Sequence, residues 1–252
     1  MSSNPHFPKI HLLCRQSTDG GAFNAAREKL NLDKSIDITI HNCTLAGLDE
    51  SVKFDTVVSP ANSYGKLDGA FDDAISRAFS PRDDYYALTR AAQRVLYQQW
   101  RGYAPPGTCT LVEIPPEFST RSRNLWGTKS VALCPTMRVP ANVRWDREVI
   151  YNCIWSLLVT ISNHNEANPN HKIGSILMTP LATGVGKVSP QRWAEQCVLA
   201  MKHFHQAMEE PEKWSQLDWQ DLGTSSLEVE RTWLREQKPG EVVGSFGRSS
   251  EP

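Results

Sequence analysis

"VVSPANSYGKLDGAFDDAISRAF", residues 57–79, opens as a buried strand and closes as an amphipathic helix. Val57 and Val58 favour an extended, packed backbone, and Pro60 has no N–H to give to a ladder, so the strand stops there. From Asp72 onward, Ile75, Ala78 and Phe79 fall on one helical face. Between these two regimes stand Asn62, Gly65, Asp68, Gly69 and Asp72. Open parallel α/β sheets bind their ligands outside the carboxyl ends of the strands, on loops that lead into helices. A strand-to-helix junction this rich in polar residues therefore marks both the fold class and a candidate site.

The same alternation runs outward in both directions. On the amino-terminal side, "KIHLLCRQ" predicts a strand, "GAFNAAREKL" a helix and "SIDITIHNC" a second strand. On the other side the helix from Asp72 breaks near Pro81 and resumes in "DDYYALTRAAQRVLYQQW", followed by a turn and strand in "APPGTCTLVEI". "KSVALCPTM" and "IGSILMTPLA" read as buried strands, "WDREVIYNCIWSLLVTISNHN" and "QRWAEQCVLAMKHFHQAME" as helices, and "NHNEANPNHK" as a loop. Strands alternating with longer amphipathic runs predict helices on both faces of a mixed, mostly parallel sheet, a three-layer α/β/α sandwich. That body is expected over residues 1–210. Residues 211–252 form an extension, in which Trp214 and Trp219 are expected to dock on the body and "KPGEVVGSFGRSSEP" has too little apolar content for a core.

Composition excludes several classes. Twenty-seven Lys and Arg against 28 Asp and Glu leave no overall field for a nucleic-acid backbone or an anionic membrane, so general nucleic-acid binding is not expected. No long apolar run predicts a membrane span, and "MSSNPHFPKIHLLCRQ" lacks a signal-peptide pattern; a cytoplasmic or nuclear protein is expected. The six cysteines are scattered singly, without CxxC pairs or zinc-ligand spacing, and read as buried thiols; no metal site is expected.

A second loop has the same placement as the first. "PLATGVGKVSP", residues 180–190, leaves a core strand and precedes a helix. Gly184 and Gly186 let the backbone turn sharply, and the helix N-terminus adds partial positive charge, a combination suited either to a phosphate cradle or to a plain tight turn. It has neither the GK[ST] ending of a Walker A loop nor the GxGxxG spacing of a dinucleotide fingerprint. In the first loop, Asn62 either hydrogen-bonds the vicinal hydroxyls of a sugar or holds its own turn. Asp72, ten residues on, either caps its helix or orients a water and takes its proton.

The two loops together resemble the macrodomain family, whose members bind ADP-ribose and in many cases hydrolyse its esters or glycosidic links. A strand ending in NAAN, a glycine-rich loop and a VDxAI helix start is similar to "SPANSYGKLDGAFDDAISRA" at Ala61, Asn62, Asp72, Ala74, Ile75, Arg77 and Ala78. The STG(V/I)xG loop is similar to "LATGVGKVSP" at Thr183, Gly184 and Val185. The similarity in layout spans residues 36–206. It implies that Asn62 contacts the distal ribose, that Asp72 orients or activates the attacking water, and that Gly69, Ala70 and Phe71 line the pocket beside Ala61; Asp68, from its position between Asn62 and Asp72, is a candidate second acid. It further implies that the backbone of Ala182, Thr183, Gly184, Val185 and Gly186 holds the diphosphate and that Asn42 meets the adenine. A macrodomain-like hydrolase or reader of ADP-ribose is thus expected, with ADP-ribose or ADP-ribosylated proteins as partners and no cofactor. An interaction protein on a degenerate scaffold is the third reading.

Overall fold

The computed structural model describes residues 7–237, so the "KPGEVVGSFGRSSEP" segment lies outside the described residues. Val57 and Val58 sit in β3 (Thr56–Ser59), in which every side chain is buried. Val57 faces one core and Val58 the other, which is why the strand reads as a continuous apolar run without alternation. The neighbouring strands behave alike: in β6 (Ser175–Met178) Leu177 joins the core of Val57, and Ile176 and Met178 join that of Val58.

Six strands form one sheet in the order β2-β1-β6-β3-β5-β4, with β1 (Lys9–Leu13), β2 (Ile38–His41), β4 (Thr110–Glu113) and β5 (Ser130–Leu133) completing it. All pairings are parallel except β4 with β5. The Val58 face is covered by α1 (Ser17–Lys29), α4 (Val149–Ala167) and α5 (Pro190–Glu209); the Val57 face by α2 (Ala70–Phe79) and α3 (Ala87–Trp100). The three-layer α/β/α sandwich expected from the sequence is the observed architecture.

Four details depart from the sequence reading. Helix α2 starts at Ala70 rather than Asp72, because Gly69 takes the extended N-cap conformation. Helix α4 runs through Ala167, absorbing the start of the expected "NHNEANPNHK" loop; the Asn165 amide then pins Ile173 from the helix, at 2.7 and 3.0 Å. Short α6 (Pro211–Trp214) places Trp214 in a stack on Trp155, with centroids 5.6 Å apart, whereas Trp219 is 88% exposed. The expected short helix at "SSLEVERTWLRE" is part of a longer one, α7 (Trp219–Gln237), which buries Val229 and Thr232 toward α5.

Candidate functional site

Strands β3 and β6 are hydrogen-bonded neighbours, so the two loops singled out in the sequence leave the same edge of the sheet side by side. Adjacent strands lie about 5 Å apart.

The first loop is held from below. Thr136 N–H reaches the Ala61 carbonyl at 3.1 Å, and Ser63 N–H reaches the Met137 carbonyl at 3.0 Å. Gly65 adopts φ +62° against Leu96, where a Cβ would stand 2.6 Å from Leu96 Cδ1, so only glycine fits. The Asn62 side chain turns into its own loop: Oδ1 accepts from Tyr64 N–H at 3.1 Å and Lys66 N–H at 3.3 Å, and Nδ2 donates to the Lys66 carbonyl at 2.8 Å. Of the two uses open to Asn62, this is the turn-holding one. Leu67 is fully buried in the core and its carbonyl accepts from the Ser76 hydroxyl at 2.6 Å. Its side chain is therefore out of the site. Asp68 is on the rim and pairs with Lys66 at 3.2 Å. Ala70 carries φ +50°, and Phe71 is half-buried beside it.

Asp72 is the third residue of α2 and does not cap it. Its carboxyl is 7% exposed and accepts from the Ser59 hydroxyl, at the end of β3, at 2.7 Å through Oδ1. Burial raises its pKa to about 7; the Ser59 hydrogen bond opposes the rise and the Asp68 charge adds to it. A carboxyl that changes protonation near neutrality is suited to taking and returning a proton.

The second loop folds on itself. Val188 N–H bonds to the Ala182 carbonyl at 3.1 Å, Lys187 N–H to that of Gly184 at 3.2 Å, and Thr183 Oγ1 to that of Pro180 at 3.2 Å. Ala182 takes φ +59°. At Gly186 a Cβ would meet the Ala182 carbonyl at 2.5 Å and Val143 Cγ2 at 2.9 Å, while its carbonyl accepts from Val143 N–H at 3.0 Å. Among the described residues, none of the N–H groups of Ala182, Thr183, Gly184, Val185 and Gly186 donates to a backbone carbonyl. Such a row beside a positive φ is the form of an anion-binding nest. It leads into α5, capped by Ser189 with Pro190 at the first position.

Sequence reasoning passed over a third loop, between β1 and α1. Asp19, in the first turn of α1, is 9% exposed, and burial raises its pKa. Burial, and then the Asp19 charge, push the Cys14 thiol up to about 12. The next residue, Gly20, packs against exposed Asn42 at the end of β2, 3.6 Å from a Cβ position to Asn42 Oδ1. The available signal was an acidic residue followed by two glycines just past a strand, in "CRQSTDGGAF".

Other basic side chains have structural partners. Arg138 stacks over Tyr103 and hydrogen-bonds Tyr64 at 3.0 Å; Arg144 approaches Glu236; Arg147 pairs with Glu230 and lies over Trp233. His203 bridges Tyr151 and Glu228, at 3.1 and 2.8 Å. All six cysteines are free, and among the described residues no group of three His, Cys, Asp or Glu side chains is placed to hold a metal ion. No helix among the described residues is long and apolar enough to cross a membrane.

No protein-family model and no curated protein matches the chain. Among solved structures it is similar to a mutant of the Oceanobacillus iheyensis macrodomain with ADPR, at 15% identity and a TM-score of 0.47 over 75% of this chain and 88% of that one. The same macrodomain with ADP matches at 15% identity and 0.46, over 76% and 90%. Thermosipho africanus DarTG in complex with ADP-ribose matches at 13% and 0.39, over 69% of this chain and 46% of that one. The chemistry of this site rests on its own geometry.

Proposed function

We propose that this protein binds ADP-ribose, free or attached to a protein, and hydrolyses an ADP-ribosyl linkage with a water activated by Asp72. The observation that carries this reading is the adjacency of β3 and β6, strands whose following segments carry a buried carboxyl with a pKa near 7 and a row of backbone amides without backbone-carbonyl partners among the described residues. In this reading the diphosphate lies on the amides of Ala182, Thr183, Gly184, Val185 and Gly186, with the α5 N-terminus behind them. Asn42, with Asp19 nearby, meets the adenine and its exocyclic amine. Asn62 contributes through the loop it holds, with Gly69, Ala70 and Phe71 forming the wall toward the distal ribose. Asp68 modulates Asp72 through its charge.

The chemical step is a substitution by water. As the water oxygen bonds to the carbon under attack, its proton passes to the ionised Asp72 carboxylate while the bond to the leaving group breaks. Asp72 then returns the proton to the leaving group, so the carboxylate is regenerated. The hydrogen bond from Ser59 fixes one carboxylate oxygen and leaves the other for the water.

A second reading, a non-catalytic ADP-ribose reader, is favoured by one feature: Asn62 and Asp68 are both engaged, by their own loop and by Lys66, leaving Asp72 alone to do the chemistry. Calorimetric titration with ADP-ribose tests both, and no heat at millimolar ligand sinks both. A release assay on mono-ADP-ribosylated protein then separates them, since a reader releases nothing.

A further inference from the structure

Helix α7 lies beyond the segment that resembles a macrodomain, yet it is fastened to the turn that follows the amide row. Glu236, in its last turn, accepts the Ser189 N–H through Oε1 at 2.7 Å and Arg192 Nη1 through Oε2 at 2.9 Å. Ser189 is the N-cap of α5, its hydroxyl taking the Arg192 N–H at 3.2 Å. In a complete capping box the third helical residue is a Glu or Gln that reaches back to the N-cap N–H. Here that residue is Arg192, which has no acceptor to offer. Glu236 supplies the missing carboxylate from 47 residues away.

The same carboxylate anchors the side chain that holds the 143–146 segment. Arg192 is 1% exposed, and its guanidinium donates to the Arg144 carbonyl at 3.0 Å and to that of Asp146. The Arg144 carbonyl also receives the Trp233 indole N–H at 3.0 Å. One residue earlier, Val143 gives its N–H to Gly186. Burial pushes the Glu236 carboxyl up, but the hydrogen bonds from Arg192 and Ser189 outweigh it and hold the group below the usual carboxylate range, so the pair stays ionised.

We propose that Glu236 is a positioning residue for the diphosphate: by completing the α5 cap and anchoring Arg192, α7 sets the direction in which the amides of Thr183, Gly184 and Val185 point. The inference rests on the ADP-ribose reading. The C-terminal extension is, on this view, a working part of the pocket.

The test titrates wild type, Glu236→Ala and Glu236→Gln with ADP-ribose and with AMP, which lacks the second phosphate and distal ribose, and follows amide hydrogen exchange at residues 183–186 without ligand. Glu236→Ala is expected to weaken ADP-ribose about tenfold, to weaken AMP by a smaller factor and to speed exchange at 183–186 but not in the middle of α5. Glu236→Gln, whose carbonyl still accepts from Ser189, recovers most of the loss. Equal weakening of both ligands, or wild-type affinity and exchange, overturns the proposal. Should Glu236→Ala not fold, Trp233→Phe removes one hydrogen bond to the 144 carbonyl and is expected to weaken ADP-ribose selectively by a smaller factor; no change overturns it. If wild type gives no heat with ADP-ribose, the functional reading fails, and the exchange rates alone decide whether Glu236 positions the loop.

Discussion

The Ser59 hydroxyl donates to Asp72 Oδ1 at 2.7 Å across the junction of β3 and α2, the one hydrogen bond that opposes the desolvation of this carboxyl. The balance is lost by the charge: the folded pKa is about 7, above the ordinary value of 3.8. A pKa raised by folding contributes stability that is fully present below the unfolded value and is lost as pH rises through the folded one. Wild type is therefore expected to lose roughly 2–4 kcal/mol relative to Asp72→Asn between pH 4 and pH 8. Urea unfolding of both proteins at those two pH values measures the difference. A gap that stays constant with pH shows that Asp72 is not the titrating group.

If Asp72 takes the proton from water, it must be ionised, so release of ADP-ribose from a modified protein is expected to rise with pH through about 7. Asp72→Asn lowers the rate by about 100-fold or more while the variant remains folded. Ser59→Ala removes the hydrogen bond that lowers the pKa, so its rising limb moves to higher pH. A limb that stays in place in Ser59→Ala assigns the titration to another group.

Val57 and Val58 carried the fold, because a fully buried parallel strand has no polar face and advertises itself as an apolar run. The placement of residues 60–69 and 179–189 on loops at the carboxyl edge was legible for the same reason. The choice between the two uses of Asn62 was not, since both need the same amide at the same place and only the coordinates show Oδ1 turned toward Tyr64 and Lys66. Glu236 and Arg192 had no local signature at all: a capping box split over 47 residues is written by tertiary packing. Asp19 was missed because its neighbourhood was read as plain strand and helix.

The glycines of the second loop divide by what surrounds them. A methyl at Gly186 would stand 2.5 Å from the Ala182 carbonyl, whereas at Gly184 nothing lies within 4 Å. Gly186→Ala is expected to cost about 1–3 kcal/mol and to abolish ADP-ribose binding by shifting the amide row. Gly184→Ala should change stability by no more than about 0.5 kcal/mol. Thermal unfolding with and without ADP-ribose reads both; comparable losses in the two variants contradict the described turn. On the facing loop, Ala70 holds φ +50° without the freedom of glycine, so Ala70→Gly should stabilise by about 0.5–1 kcal/mol.

The adenine assignment is tested by Asp19. A carboxylate with little solvent to compete for it makes a hydrogen bond to an exocyclic amine worth about 1.5–3 kcal/mol, and hypoxanthine has no such amine to offer. Asp19→Ala is expected to weaken ADP-ribose at least tenfold and to leave the inosine counterpart, already weak, unchanged. Loss of both ligands together would place Asp19 in the scaffold of α1 and not against the base.

Trp214 and Trp219 give a closing test of the extension, because the sequence treats them alike and the structure does not. The Trp214 ring stacks on Trp155 at 5.6 Å, with His203 6.4 Å from it. His203 in turn binds Glu228 of α7, so this aromatic cluster joins α4, α5 and α7. Removing the ring takes away apolar burial and one of the aromatic partners of Trp155, which keeps Tyr151 and Phe204, a loss of about 1–3 kcal/mol. Trp219 is 88% exposed, with no aromatic partner among the described residues, and Trp219→Ala should fall within about 0.5 kcal/mol of wild type. If α7 braces the diphosphate loop through Glu236, loosening its base at Trp214 should also weaken ADP-ribose more than AMP, and truncating Trp219 should affect neither. Denaturant unfolding and calorimetry on the two alanine variants give the four values; a ligand effect at Trp219 without one at Trp214 would show that the extension acts on the pocket by some route other than its packing on α5.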